Sequence, residues 1–292
     1  MSGIDWAVKE EELAQGRDLH VGAGRKFWAI QATEPFYEEF RAAKGLYPDG
    51  VAKCYTTIQA AIDACVANRG DIVYVVGEWT SAVTVTLNKW GTTLRGATDW
   101  DSITGGGNAN ITCTGDGIAT LTVTKAKCHV ENLVLYCNGI GATKGIEWTG
   151  SAPSQQVVRN VEIVKNGGDA DVTIGMHFNT TPTRGEFSNI KITGATNNTN
   201  QLGTGIEGGG YSNVFRDILI SNCHYGIIAD TYGDLYQRVI IMATCAHGMD
   251  IYGAAAGQSM IVDCRNAAAA KGTLTNTIIV ASYTTGLTEL TV

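Results

Sequence analysis

The amino-acid sequence predicts an all-β solenoid, a parallel β-helix, because the chain repeats itself. Six glycines are each followed by Ile or Met at spacings of 28, 30, 30, 21 and 22 residues: Gly117, Gly145, Gly175, Gly205, Gly226 and Gly248. A polar residue that opens a short, mainly apolar run recurs at Asn132, Asn160, Asn189 and Asp217, with looser echoes at Arg238 and Asn276. Units of this length, with two short strands and Gly or Asn turns, are typical of a solenoid. They are too short for propeller blades, which need about 40 residues each.

Composition supports one folded body preceded by a different N-terminal segment. The chain has 292 residues, with 36 Gly, 4 Pro and 44% hydrophobic residues, which excludes disordered and collagen-like chains. Lys and Arg number 21 and Asp and Glu 28, and 14 of these 49 charged residues lie within the first 44 positions. We therefore predict an arm over residues 1–50 and a β-helix domain over residues 51–292.

The N-terminal arm is rich in aromatic residues and shows no strand alternation. Residues 34–44 have the composition of a short helix. So short a segment cannot bury its own aromatic groups, so they are expected to dock on the body, on a sister subunit or on another partner. The predicted partner-binding residues are Trp6, Phe27, Trp28, Phe36, Tyr37 and Phe40.

A helix is predicted at about residues 56–68, where apolar residues follow helical spacing. The stripe consists of Ile58, Ala61, Ile62, Cys65 and Val66. Thr56 with Gln59 can form a capping box, and Gly70 supplies a left-handed stop. Such a helix would cover the open end of the solenoid, where a bare first coil would expose apolar core and unpaired strand edges.

The chain from Gly70 onward reads as short strands separated by turns. The first three predicted strands are at residues 72–76, 83–87 and 92–96. Up to Val292 no further stretch has the length and spacing of a helix. The body is therefore predicted to be all-β apart from the capping helix.

Four segments resemble the capping helix and first coils of the pectin lyase-like right-handed parallel β-helix superfamily. They are Tyr55–Ala64 (YTTIQAAIDA), Gly70–Val75 (GDIVYV), Gly77–Trp79 (GEW) and Thr93–Gly96 (TLRG). The resemblance covers roughly residues 51–292 and implies a single-stranded right-handed parallel β-helix. The superfamily contains pectate and alginate lyases, polygalacturonases, pectin methylesterases and non-catalytic phage tail and capsid proteins. The resemblance therefore implies a fold without choosing an activity.

The sequence offers one catalytic alternative. The polygalacturonase strings Asn-Thr-Asp, Asp-Asp, Gly-His-Gly and Arg-Ile-Lys are absent from the sequence. Glu147, His177 and Glu207 each follow a marker glycine by two positions, so they are expected to stack outward on neighbouring coils. The two glutamates would then lie about 9 to 10 Å apart, near the upper end of the range for inverting glycoside hydrolysis.

No metal site or cofactor is predicted. Acidic pairs that could bind calcium, Asp99 with Asp101 and Asp169 with Asp171, lie in turns where acidic residues are ordinary. Cys223, His224, Cys245 and His247 lack the spacing of known zinc sites. Cys223 and Cys245 are expected on adjacent coils, close enough to permit a disulfide, although buried free thiols are the simpler interpretation.

Charge and hydropathy restrict the partners. A net charge of −7 without a Lys/Arg cluster argues against nucleic acid. The sequence shows neither a signal peptide at its start nor a long apolar run, and so predicts neither export nor membrane insertion.

These features favour a non-enzymatic phage virion structural protein, a capsid decoration or cement protein held by its arm. The expected location is the virion, assembled in the host cytoplasm. The expected partners are the major capsid protein or another virion protein, two further copies in a homotrimer, and a surface glycan. The alternatives are a polysaccharide lyase or hydrolase that uses Glu147, His177 and Glu207, and a tailspike-type carbohydrate-binding or depolymerase protein. Sugar binding would use exposed aromatics such as Trp148 or Tyr211.

Overall fold

A computed structural model describes residues 24–34, 37–97, 109–141, 143–150, 154–165, 173–194, 202–253, 258–268, 273–275, 277–280 and 283–284. The helices are α1 (Tyr37–Lys44) and α2 (Ile58–Asp63). The strands are β1 (Lys26–Ile30), β2 (Cys54–Tyr55), β3 (Ile72–Val76), β4 (Glu78–Ser81), β5 (Val85–Leu87), β6 (Thr93–Gly96), β7 (Asn110–Cys113), β8 (Ala119–Val123), β9 (His129–Cys137), β10 (Lys144–Trp148), β11 (Val157–Val164), β12 (Ile174–Phe178), β13 (Glu186–Thr193), β14 (Leu202–Gly208), β15 (Val214–Ser221), β16 (Cys223–Thr231), β17 (Leu235–Ile241), β18 (His247–Gly253), β19 (Ser259–Val262), β20 (Arg265–Asn266), β21 (Leu274–Thr275), β22 (Thr277–Val280) and β23 (Tyr283–Thr284).

Two parallel sheets form the body. The long sheet runs in the order β2-β1-β3-β6-β9-β11-β13-β15-β17-β19-β22, and the short sheet runs β21-β18-β16-β14-β12-β10-β8-β5. From β8 to β18 the chain alternates between the sheets, and each strand pairs in parallel with the strand two places later. The predicted parallel β-helix is therefore confirmed.

The recurring polar marker forms a column of left-handed residues in the long sheet. Asn132, Asn160, Asn189, Asp217 and Arg238 all have φ between 51° and 55°. Asn160 donates its side-chain amide to Asn132 at 2.9 Å, and Asn189 donates to Asn160 at 2.8 Å. Asparagine tolerates this backbone conformation and can also bond to its copy on the next coil, which explains its recurrence. The echo at Asn276 lies outside the described residues.

The marker glycines are required by close packing in the short sheet. A Cβ on Gly205 would lie 2.6 Å from the carbonyl oxygen of Gly226 and 2.7 Å from Cγ2 of Ile220. Gly145, Gly175 and Gly226 meet similar obstacles, so the column admits no side chain. Gly117 does not belong to it: Ala119 pairs with Lys144 and Leu121 with Ile146, which places Thr120 opposite Gly145.

Aliphatic and aromatic columns fill the interior. Ile190, Ile192 and their counterparts on neighbouring coils are buried, and their register runs along the long sheet. The rings of Phe187, Phe215 and Tyr236 stack with centroids 4.8 and 4.9 Å apart. In-register stacking of like side chains gives each coil the same cross-section, which sustains the solenoid.

The capping helix is confirmed but is shorter than predicted. Helix α2 begins after Thr57, whose hydroxyl accepts a hydrogen bond from Ala60 N at 3.1 Å, so the cap is Thr57 rather than Thr56. Gln59 instead bonds both backbone groups of Thr86 in β5, the edge strand of the short sheet. The helix ends early, and buried Asp71 accepts a hydrogen bond from Val66 N at 2.7 Å. Val66 is consequently 52% exposed and lies off the predicted stripe.

Part of the predicted arm is built into the long sheet. Strand β1 lies between β2 and β3. Its inner side chains, Phe27 and Ala29, join the main core, whereas Trp28 on the opposite face packs with Tyr37 and Phe40 of α1. Because both faces are covered, the segment lacks the alternation that marks a half-buried strand.

Candidate functional site

An open groove lies on the outer face of the long sheet near its N-terminal end. Its volume is about 630 Å³, and its charged lining residues are Arg95, Lys127, His129, Arg159, Arg184 and Glu186. We call it the basic groove. The register explains the gathering: Thr93 pairs with His129, His129 with Val157, and Val157 with Glu186.

One rim of the basic groove consists of residues held in left-handed turns. Lys127, Gln155 and Arg184 have φ of 57°, 55° and 56°. Their amides donate to the carbonyl oxygens of Ser154, Thr183 and Tyr211 on the next coil, at 2.8, 2.7 and 2.9 Å. Long side chains rarely occupy this region of φ, which costs of order 1 to 3 kcal/mol per residue. The turn ladder thus holds exposed polar side chains in line along the groove.

A buried carboxylate organises the floor. Glu131 is 2% exposed, and its Oε2 accepts a hydrogen bond from Nε of Arg95 at 2.7 Å. Nη2 of Arg159 lies 2.9 Å from Oε1 of the same carboxylate, and Nδ1 of His129 lies 3.7 Å from it. Arg95 and Glu131 are opposite each other on paired strands, as are Glu131 and Arg159. One carboxylate therefore positions two guanidinium groups and an imidazole.

Electrostatics keep Glu131 ionised. Burial alone would raise its pKa, but the nearby imidazole of His129 and the charges of Arg95 and Arg159 outweigh burial and hold the pKa below its ordinary value. Among the described residues no ion pair involves Lys127 or Arg184, which are both exposed. The groove thus carries four permanent cations against two carboxylates, Glu131 and Glu186, in a chain of net charge −7.

The sequence did not reveal this groove. Its cations are spread over residues 95–184, and in each coil they are single polar residues near the start of a strand. They converge only when the coils are brought into register. The sequence contained one relevant pattern. Near the strand starts, polar residues are separated by an even number of positions and so share one face: Lys127 and His129, Gln155 and Arg159, and Arg184 and Glu186.

Glu147, His177 and Glu207 do stack on neighbouring coils of the short sheet. Glu147 pairs with His177, and His177 with Glu207. Nδ1 of His177 lies 3.1 Å from Oε1 of Glu147, which also contacts Nζ of Lys144 at 3.2 Å. These contacts satisfy Glu147 within its own surface ladder. A catalytic role for the three residues stays a hypothesis.

The cysteines and acidic turns show no metal arrangement in the described ranges. There, no group of three or more His, Cys, Asp or Glu side chains is placed to hold a metal ion. Asp99, Asp101, Asp169 and Asp171 lie outside the described residues. All eight cysteines are buried free thiols. A hydrogen bond with Cys245, together with burial, raises the pKa of Cys223 well above its ordinary value.

Most of the predicted partner-binding aromatic residues are buried within the chain itself. Phe27, Trp28, Tyr37 and Phe40 are at most 9% exposed, so they contact the body itself and leave no surface for a partner. This corrects the expectation of a partner-binding surface for these four residues. Trp6 and Phe36 lie outside the described residues.

Of the two proposed sugar-stacking residues, only one is exposed. Trp148 is fully buried, and its ring stacks on Phe178 with centroids 4.5 Å apart, because it occupies an inward position of β10. Tyr211 is 41% exposed. Trp148 is therefore excluded as a surface binding residue.

No protein-family model and no curated protein sequence matches this chain. Among the solved structures similar in fold are two pectin methylesterases. One is a pectin methylesterase mutant in complex with a hexasaccharide, with a TM-score of 0.52 and 12% identity over 81% of this chain and 87% of that chain. The other is the pectin methylesterase from Yersinia enterocolitica, with a TM-score of 0.48 and 12% identity over 80% of this chain and 91% of that chain. The chain thus shares the right-handed parallel β-helix fold of the first of these structures.

The prediction of a phage virion structural protein is wrong. The similar structure with a TM-score above 0.5 is a pectin methylesterase, and nothing in the comparisons supports a virion role. The prediction relied on an arm whose aromatics needed a partner, and four of those six side chains are buried against the chain's own body.

In the described residues no helix has the length and apolar character needed to cross a membrane.

Proposed function

We propose that this chain is a carbohydrate-active protein that binds acidic polysaccharides along the basic groove. The observation that carries the proposal is the concentration of Arg95, Lys127, Arg159 and Arg184 in one open groove of an otherwise acidic chain. Guanidinium groups bind carboxylates with two parallel hydrogen bonds, which suits the uronate units of acidic polysaccharides. The similar enzyme structure contains a bound hexasaccharide, so this fold can hold an extended sugar chain.

The groove is prepared for such a ligand before binding. Glu131 fixes Arg95 and Arg159, and the turn ladder fixes the backbone of Lys127 and Arg184. Successive coils are about 4.8 Å apart, so Lys127 and Arg184, two coils apart, lie about 10 Å from each other along the groove. A regularly spaced row of cations matches a polymer with regularly spaced carboxylates, and a preformed row lowers the ordering cost of binding.

Binding to polygalacturonate, alginate and neutral dextran tests the proposal. We expect acidic polymers alone to bind, with affinity falling as salt increases because the contacts are ionic. The double variant Lys127→Gln/Arg184→Gln should lose about tenfold in affinity, equivalent to about 1.4 kcal/mol. Arg265→Gln, which removes an exposed cation from β20 in the same sheet, is the matched control and should bind normally. Equal binding of dextran, or equal losses in both variants, would overturn the proposal.

Cleavage of the bound polymer by β-elimination is a second candidate function, favoured by the position of His129. Imidazole is a common general base in enzymes, and His129 lines the groove beside the two arginines. A base would remove the C5 proton of a uronate unit. The electron pair would form the C4–C5 double bond as the C4–O4 bond breaks, and the departing oxygen would take a proton. Hydrolysis by paired carboxylates fits less well, because Glu131 is held ionised by its ion pairs.

The ultraviolet absorbance of unsaturated uronate products tests this second function. Wild-type protein should release them from an acidic polymer, and His129→Ala should abolish release while retaining binding. His247→Ala, which alters a partly exposed histidine of the short sheet, should cleave normally. Binding without any product would limit the function to recognition, and new reducing ends without the double bond would indicate hydrolysis.

A further inference from the structure

We infer that Tyr211 and Tyr232 form a sugar-stacking platform that extends the basic groove beyond Arg184. The two rings stack with centroids 4.5 Å apart and an angle of 14° between their planes. Tyr211 is 41% exposed, and Tyr232 is partly exposed. The inference rests on the proposed polysaccharide binding and assigns the next part of the polymer to these two rings.

The platform is continuous with the groove through the turn ladder. Thr183, Tyr211 and Tyr232 occupy the same position on three successive coils and are joined by parallel bridges. Arg184 donates its amide to the carbonyl oxygen of Tyr211 at 2.9 Å, and Ser212 donates to that of Tyr232 at 3.0 Å. Tyr211 therefore lies one coil, about 5 Å, beyond the turn that carries the last cation of the groove.

One face of the Tyr211 ring is covered by Tyr232, and the positions before it in the column hold small residues. Tyr232 belongs to the next coil, and the small residues are Thr183 and Ser154. In the column of Ser154, Thr183, Tyr211 and Tyr232, no large side chain therefore covers Tyr211 on the side nearer the groove. Pyranose rings present a face of C–H groups, which packs against the negative face of an aromatic ring while the hydroxyls remain in water.

Buried polar contacts hold the platform rigid. Asn213 follows Tyr211 by two residues, and its side chain accepts a hydrogen bond from Gly185 N at 2.7 Å and donates to Pro182 O at 3.1 Å. Asn213 N in turn donates to Asp234, two residues after Tyr232, at 2.8 Å. Both turns are therefore fixed to each other and to the coil of Arg184. A rigid aromatic surface binds a ligand with little loss of conformational entropy.

The length dependence of oligouronate binding tests the platform. Short oligomers fill the groove alone, so Tyr211→Ala should leave their affinity unchanged, whereas long oligomers should lose about five- to tenfold. Tyr211→Phe should bind like wild type, because the ring and not the hydroxyl makes the contact. Tyr252→Ala, which removes a 46% exposed tyrosine from the short sheet, is the control.

The outcomes separate the two proposals. If wild-type protein binds no oligouronate of any length, the proposed function fails. If long oligomers bind wild type and Tyr211→Ala equally well, the groove stands and the platform is refuted. If Tyr211→Ala weakens short and long oligomers by the same factor, the platform is also refuted, because the residue then acts through the groove. Thermal unfolding of each variant establishes that it is folded.

Discussion

Asp234 should make the protein less stable at neutral pH than at mildly acidic pH. Its side chain is 1% exposed, Oδ1 accepts a hydrogen bond from Asn213 N at 2.8 Å, and Oδ2 has no hydrogen-bond partner within the described structure. Burial raises the pKa of Asp234 from 3.8 to about 6, against the lowering effect of the hydrogen bonds from Asn213. The folded state therefore favours the protonated carboxyl and is penalised when the group ionises.

The sign and size of the effect follow from linkage. Above pH 6 the folded carboxyl is ionised at a cost, and between about pH 6 and pH 4 the folded state binds a proton that the unfolded state does not. The contribution of this group to the free energy of unfolding thus rises as the pH falls through that window. A pKa shift of about two units corresponds to about 3 kcal/mol. Asp234→Asn removes the charge and keeps an acceptor for Asn213.

Urea unfolding of wild type and Asp234→Asn at a series of pH values checks this reasoning. At pH 7.5 the variant should be more stable by up to about 3 kcal/mol, and the difference should disappear near pH 4. Asp263→Asn, at an exposed position on the next coil, should show no such trend. A difference between wild type and Asp234→Asn that stays constant across the pH series would refute the assignment of a raised pKa to Asp234.

Three further substitutions test the packing and the groove floor, each by urea unfolding at pH 7. Glu131→Gln should lower the free energy of unfolding by about 3 to 5 kcal/mol, because nearly buried Arg95 loses its counter-charge; a loss below about 1 kcal/mol would contradict the buried pairing. Gly205→Ala should cost about 1 to 3 kcal/mol or more from overpacking, because the new Cβ would lie 2.6 Å from the carbonyl oxygen of Gly226. A cost below about 0.5 kcal/mol would disprove the close approach of the coils. Trp148→Ala should cost about 3 to 5 kcal/mol, and a neutral result would show that its stack on Phe178 is not a core contact.

The repeats in the sequence were sufficient to predict the fold because each marker has one physical cause. Glycine recurs at the positions equivalent to Gly205 because the next coil leaves no room for a Cβ. Asparagine recurs at the positions equivalent to Asn160 because the bend needs a residue in the left-handed conformation. Strand β1 escaped prediction because both of its faces are buried, which erases the alternation. Gly117 was wrongly counted among the marker glycines because it too is followed by Ile, although it lies in a turn where its φ is 66°.

The basic groove could not be predicted from the sequence because it depends on register across coils. Arg95, Glu131 and Arg159 are 36 and 28 positions apart and meet only through strand pairing. The ladder of Glu147, His177 and Glu207 was predictable because all three share one offset from a marker glycine. Homotrimerisation stays a prediction.

The hydrogen-bonded columns fix the alignment of the strands, so the number of residues in a coil can vary without changing that alignment. Eight residues, 194–201, connect β13 to β14, whereas Asn222 alone connects β15 to β16, yet the paired strands on either side keep the same alignment. Peptide inserted between β13 and β14 would therefore leave the aligned residues of the flanking strands in place. This connection is a point where the chain can gain length while the rows of side chains on the outer face of the long sheet remain unchanged.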